Sequence, residues 1–416
     1  AFLSRTSRRL TSFFRAHYVT AFHTPFKRRD YVADFARLGF LLDRFPRLAE
    51  LGACKVSEQP IVSADEAYRR ITAIEIMFDC SRRFAERALF LLPHFCPGLR
   101  GLEISSRRLI QVAMIGLNGV HTLRDLERLS ISDDIEVKKQ NLLWVLTGRG
   151  RLREVVINSD GSFDPEVVAA LPDSVERLEM AIWTADGHNE RRDRCLKNIA
   201  RLPNLRSLEL DYQDGVDWLQ LVPAAERLDK LKISWFDCAD ETFLRFLENG
   251  TLLSSLVLDF AFGDCEALLL TIAGLPRLEC LVLHDASDLD CKHSEEKLHL
   301  NSEEGLLALS SGSVRRSLVT CSIQLTAGDV QLNQSLLACF KEHVEPLFEK
   351  RAVGSRELRF MDWPDKSDSS DSSSNSADDD ESGEDSMDSS SSEGSSSSDK
   401  SEGSLSSDDS EGNYSD

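Results

Sequence analysis

Leu202-Pro203-Asn204-Leu205-Arg206-Ser207-Leu208-Glu209-Leu210 is a phrase that returns as Leu275-Pro276-Arg277-Leu278-Glu279-Cys280-Leu281-Val282-Leu283. Aligned on the apolar residue that opens Leu-x-x-Leu-x-Leu, looser copies begin at Leu48, Ile71, Leu99, Leu126, Leu152, Val175, Leu228, Leu253 and Leu318. With Leu205 and Leu278 these anchors are 23, 28, 27, 26, 23, 30, 23, 25, 25 and 40 residues apart. So regular a period marks one supersecondary unit used repeatedly.

The last two leucines of the phrase are two apart, which on a strand puts them on one face, with their neighbours on the other. A polar turn and an apolar run at helical spacing follow, as in 241–248 and 264–273. Gly250 and Gly274 stand just past two such runs, and Pro172, Pro203 and Pro276 turn the chain toward the next strand. A lone unit cannot cover its own leucines, each worth about 1.5–3 kcal/mol when buried. The units must therefore stack, with a curved parallel sheet inside and helices outside. The expectation is an α/β leucine-rich-repeat solenoid over residues 25–363, preceded by a basic helical segment (1–24) and followed by a disordered acidic tail (364–416). The Asn usual in the turn of such repeats is replaced by Arg107, Asp134, Asp160, Trp183, Gln213, Phe236 and Ala261, which predicts an irregular solenoid.

From Asp365 to Asp416 there are 23 Ser, 17 acidic residues and 2 Lys, too little apolar surface to offset the entropy of ordering. This segment carries −15 of the net −21, leaving −6 for the rest. The first 29 residues hold seven cations and no carboxylate. Ten cysteines show no Cys-x-x-Cys spacing, which favours reduced, packed thiols in the nucleus or cytoplasm. The sequons at Asn249, Asn333 and Asn413 matter only behind a signal peptide. The apolar run 267–273 is too short for a bilayer, so no membrane partner is expected.

Leu3-Ser4-Arg5-Thr6-Ser7-Arg8-Arg9-Leu10 followed by Tyr18 resembles the closing helix of an F-box. Leu41-Leu42-Asp43-Arg44-Phe45-Pro46-Arg47-Leu48 is similar to the lead-in to the first repeat of fungal-type F-box leucine-rich-repeat proteins. The resemblance implies a substrate-recognition subunit of a cullin-RING ubiquitin ligase, whose F-box docks on an adaptor while the solenoid holds a protein substrate. Adaptor docking is expected only if the front half of an F-box precedes Ala1.

No Gly-x-Ser-x-Gly, P-loop, His-Glu-x-x-His or dinucleotide fingerprint occurs, so neither catalytic residues nor a cofactor is expected. Asp288, Asp290, Cys291, His293, Glu295, Glu296 and His299 mix ligand types at spacings that fit no metal geometry and read as an insertion loop. Candidate protein-binding side chains are those two, four and six positions past each anchor, on the concave solvent face. The middle column reads Gly52, Glu75, Glu103, Ser130, Val156, Glu179, Glu209, Lys232, Val257, Val282 and Ser322; Glu50, Glu154, Asp211 and Asp259 flank it, with Arg128, Arg177, Lys230 and His284 opposed. At about 4.8 Å between strands, Glu75 with Glu103 and Glu179 with Glu209 would repel by about 0.9 kcal/mol even in water. The blander account is solubility, with Arg177 and Lys232 compensating; the functional one is a docking face for a basic segment, its apolar end at Val257, Cys280 and Val282. Trp183, Tyr212, Trp235 and Phe260 fall just past their strands, where turn packing is their commoner use.

In the tail, Ser376, Ser382, Ser390, Ser396 and Ser406 each have an acid three residues on and are phosphorylation candidates, every phosphate adding about −1.5 to −2 charges. Direct nucleic-acid binding is not expected, because tail and concave face would repel phosphate. Three readings follow: the ubiquitin-ligase receptor, an acidic-tailed nuclear protein that binds histones or other basic proteins, and a generic interaction scaffold.

Overall fold

The computed structural model describes residues 21–22, 33–34, 49–56, 66–78, 82–106, 112–115, 117, 119–132, 135–158, 164–181, 189–211, 217–285, 298–326, 330–347 and 356–361. By its contacts the chain divides into Ala1–Pro364 and Asp365–Asp416. The second unit, with all five serine candidates, lies outside the described residues, as do the F-box-like stretch up to Thr20, the anchor Leu48 and the mixed-ligand segment up to Lys297.

Each expected strand opens two residues past its anchor. They are β1 (Glu50–Val56), β2 (Ala73–Phe78), β3 (Gly101–Ser106), β4 (Arg128–Ile131), β5 (Glu154–Ile157), β6 (Arg177–Ala181), β7 (Ser207–Asp211), β8 (Lys230–Asp237), β9 (Ser255–Asp264), β10 (Cys280–Asp285) and β11 (Thr320–Thr326). They lie side by side in chain order as one parallel sheet. The ten anchors from Ile71 to Leu318 are buried, and so are the residues three and five positions beyond them, from Ile74 and Ile76 to Cys321 and Ile323. Strand side chains alternate, buried toward the core and half-exposed on the opposite, open face.

Pitch is set by the backbone at the strand entrances. Arg100 N–H and Gly101 N–H both donate to Thr72 O (2.6 and 2.9 Å); Glu127 and Arg128 do the same to Arg100 O, Arg153 and Glu154 to Glu127 O, and so on through Val319 and Thr320 to Glu279 O. One carbonyl per unit thus satisfies two donors of the next, which fixes register before any side chain is consulted.

The connecting elements vary more than the strands. They include α1 (Arg82–Phe95), α2 (Lys139–Leu146), α3 (Pro165–Ala169), α4 (Asn189–Ala200), α5 (Val222–Ala225), α6 (Glu241–Glu248), α7 (Glu266–Ala273), α8 (Glu304–Ser311) and α9 (Val330–Cys339). Asp164, Asp217 and Asp240, each twelve residues past an anchor, cap the N-termini of α3, a 3-10 turn at Trp218–Leu221, and α6, each accepting a backbone N–H. Trp218 is buried against Phe243 and Phe246.

Three expectations need correction. The unit after β3 has no helix in its described residues; it has a strand at Val112–Ile115, paired with Ile135–Val137, and a 3-10 turn at Val120–Thr122. There Arg149, buried, donates to Leu123 O and Val120 O, which also accept the backbone N–H groups of Leu126 and Leu123. β8 and β9 run well past the short strand of the phrase, to Asp237 and Asp264, and β9 breaks register between Leu258 and Ala261. Phe260 takes the left-handed conformation there (φ 56°), and the extended end of β9 pairs with Leu298–His299 where the 40-residue gap closes. Finally, β12 (Arg356–Met361) adds to β11 and was not foreseen. Its Leu358 and Phe360 align with Ile323 and Leu325, but Arg356 falls opposite Cys321, in the column other strands fill with aliphatics, so the phrase is disguised.

Candidate functional site

The open face of the sheet brings the middle-column residues into one line. Glu75 pairs in register with Glu103, Glu103 with Ser130, Ser130 with Val156, Val156 with Glu179, Glu179 with Glu209, Glu209 with Lys232, Lys232 with Val257, Val257 with Val282, and Val282 with Ser322. Gly52 does not join it, because a register shift between Leu51 and Cys54 sets β1 off by one residue against β2. Glu154 stands in the column that starts the strands, Asp211 and Asp259 in the one toward their ends, and none of these side chains is fully buried.

The second half of the line is an ionic chain. Arg177 Nη2 lies 3.2 Å from Glu179 Oε2 and 3.8 Å from Glu209 Oε2, so one guanidinium answers both carboxylates that the strand spacing set against each other. Asn158 Nδ2 donates to Glu179 Oε1 at 3.0 Å. Lys232 Nζ bonds Glu209 Oε1 at 2.6 Å and approaches Asp259 Oδ2 at 3.6 Å; His284 Nδ1 lies 3.3 Å from Asp259 Oδ1, and Ser322 Oγ 3.5 Å from His284 Nε2. Burial would pull the Lys232 ammonium down, but Glu209 and Asp259 outweigh it and hold it above its ordinary value. Ser322, His284 and Asp259 thus stand in a row across three strands, with His284 between the hydroxyl and the carboxylate.

The first half is different. A groove of about 470 Å³ there is lined by the glutamates at 50, 75, 103, 154 and 179 against two arginines, Arg128 and Arg177. Burial first, and then Glu75 across the strand pair, push the Glu103 carboxyl above its ordinary value, with Arg128 opposing. Beside it a second groove of about 640 Å³ runs along the strand entrances from Glu127 to Ser255, with cations and carboxylates nearly balanced.

The entrance rim holds residues that the column reading passed over. One position past successive anchors stand Arg100, Glu127, Arg153, Glu176, Arg206 and Asp229, alternating in sign. Arg100 pairs with Glu127 at 3.6 Å and Arg153 with Glu176 at 3.3 Å. Reading that one extra column would have found them. Of the four aromatics placed past the strands, Trp183, Tyr212 and the side chain of Trp235 lie outside the described residues, and Phe260 is half-buried at its bulge.

Cys96, Cys195, Cys238, Cys265, Cys321 and Cys339 are buried free thiols, and burial pushes those of Cys96, Cys195 and Cys321 up to about 12. Among the described residues no group of His, Cys, Asp and Glu could hold a metal ion, and no helix is long and apolar enough to cross a membrane. No protein-family model matches the chain, and a search of curated proteins finds no match either.

Proposed function

We propose that this chain is a non-catalytic protein-binding receptor built on a leucine-rich-repeat solenoid, and that it is the substrate-recognition subunit of an F-box-type cullin-RING ubiquitin ligase. The observation that carries the receptor reading is the open face itself: register-aligned, half-exposed side chains on strands whose backbone groups are already committed to the sheet. Such a wall recognises through side chains spread over many units and offers an extended contact rather than a reaction cleft. The Glu75–Glu103 juxtaposition supports it, because like charges on neighbouring strands cost stability where a basic partner would gain from them. The ligase part rests on the resemblance of residues 3–18 and 41–48 to F-box leucine-rich-repeat proteins.

A photo-crosslinking residue at Ser130 or Val156 should yield partner adducts in cells, and one at Arg245 or Glu248 on α6 should yield none; equal adducts from both faces end the receptor reading. Co-precipitation of the ligase adaptor with the full gene product tests the ligase part separately. The acidic groove favours a second reading, a binder of histones or other basic proteins, which predicts that deleting 365–416 abolishes binding to them.

A further inference from the structure

The two ends of the sheet are finished differently. β1 at one end is paired along its outer side by two short strands, Ala21–Phe22 and Ala33–Asp34. β12 stands at the other end and, among the described residues, pairs only with β11. An edge strand of 6 residues (Arg356–Met361) thus presents a row of backbone N–H and C=O groups, a template for a further strand. The tail from Asp365 to Asp416 is a poor source of that strand, because its only β-branched or aromatic residue is Tyr414. The sequence Arg356-Glu357-Leu358-Arg359-Phe360-Met361 itself points to the occupant. By register Glu357 and Arg359 extend the open-face columns of Ser322 and Gln324, while Leu358 and Phe360 continue the aliphatic columns of Ile323 and Leu325.

We propose that β12 pairs antiparallel with β12 of a second copy of this chain, on a two-fold axis that passes between the two Leu358 residues. In that register Glu357 lies opposite Arg359 of the second copy and Arg359 opposite its Glu357, so symmetry makes two unlike-charge pairs from one. The neighbouring registers fail on charge. A two-fold perpendicular to the sheet must pass between identical residues: at Glu357 it sets glutamate against glutamate, and at Arg359 arginine against arginine. Arg356, in the aliphatic column at the edge, is the kind of residue that blunts unselective pairing, so a partner must match the charge pattern to add there. The β1 edge is already occupied, which leaves a closed pair of copies rather than a head-to-tail filament. Residues directly opposite on antiparallel strands share a face. The two open faces therefore lie on one side of a continuous sheet, and a partner with two binding segments meets two walls at once. The inference goes beyond the receptor reading and does not depend on it.

The test is sedimentation equilibrium of the full chain between about 1 and 100 μM, the range expected of so small an interface. The mass should rise toward that of two chains and no further. Glu357→Arg sets arginine against arginine twice, and Arg359→Glu sets glutamate against glutamate twice; either alone should weaken self-association about tenfold or more. An equimolar mixture of the two single variants should restore it, because each then opposes the charges of the other. The double variant, Glu357→Arg with Arg359→Glu, should self-associate like the original chain. Urea unfolding of each variant confirms that it is folded, and rescue in the mixture excludes a merely misfolded edge. A chain that stays monomeric at about 100 μM, a mass that climbs past two chains, a dimer indifferent to the single reversals, or a mixture that fails to restore association overturns the inference.

Discussion

Glu103 shows what the open face costs. Its carboxyl is raised by burial and by Glu75, so its contribution to stability is fully present below the unfolded value of about 4.3 and is lost as pH rises through the higher folded value. Glu103→Gln should therefore raise the urea midpoint at pH 7, and the gain should vanish below pH 4; a variant less stable at pH 7 would show that the glutamate is held favourably. Arg149 works in the opposite sense. Arg149→Met leaves the carbonyls of Val120 and Leu123 without that donor and should cost about 2–4 kcal/mol by denaturant unfolding. The thiols of Cys96, Cys195 and Cys321, pushed up to about 12, should be inert to a disulfide reagent at pH 8 until urea exposes them. At this scale most of the residue types that share a column were legible, since Leu-x-x-Leu-x-Leu marks each strand even where the gap between strands varies. That Arg177 bridges Glu179 and Glu209 needed the register, because reach across a strand pair depends on rotamers that spacing does not contain.

At the scale of elements, the cap of α3 ties three units together. Asp164 accepts from Glu166 N at 2.8 Å and meets Lys139 Nζ at 3.0 Å and Arg191 Nη2 at 2.8 Å. Burial would raise its carboxyl, yet the Glu166 N–H, Lys139 and Arg191 together hold it below the ordinary range. Its contribution is then present above the unfolded value near 3.9 and lost as pH falls through the folded one. Asp164→Ala should cost about 1–2 kcal/mol at pH 6 and progressively less below pH 4, a difference that paired urea melts will measure. The runs at 241–248 and 264–273 were legible as helices because apolar residues recur on one side of each. The turn at Val120–Thr122 was not, since the strand at Val112–Ile115 takes up chain that other units give to a helix and Arg149, which bonds the turn, lies in the next unit. β12 was hidden for a chemical reason, an arginine in an aliphatic column.

For the whole of residues 49–361, stability is shared between neighbouring units rather than pooled in one centre. Leu208→Ala, which removes a buried side chain between β6 and β8, should cost about 2.5–5 kcal/mol. It should also separate the unfolding transitions seen by tryptophan fluorescence and by circular dichroism; coincident transitions would indicate a single cooperative block. The strand order was readable from the anchors alone because a sheet laid down in chain order needs no long-range choice. That Arg177, Glu179, Glu209, Lys232 and Asp259 join in one ionic chain was not, because it depends on which side chains reach one another across the strands.

The paired donation of two N–H groups to one carbonyl at the entrances of β2 through β11 has a further consequence. Position along the stack is handed from unit to unit by main chain, whatever lies behind it, from a three-residue turn at Val120–Thr122 to a fourteen-residue helix at Arg82–Phe95. Outward-pointing residues are thereby decoupled from the scaffold that spaces them. Mutation or deliberate engineering can rewrite the recognition code one strand at a time, or lengthen a rear connection, without retuning the rest of the molecule.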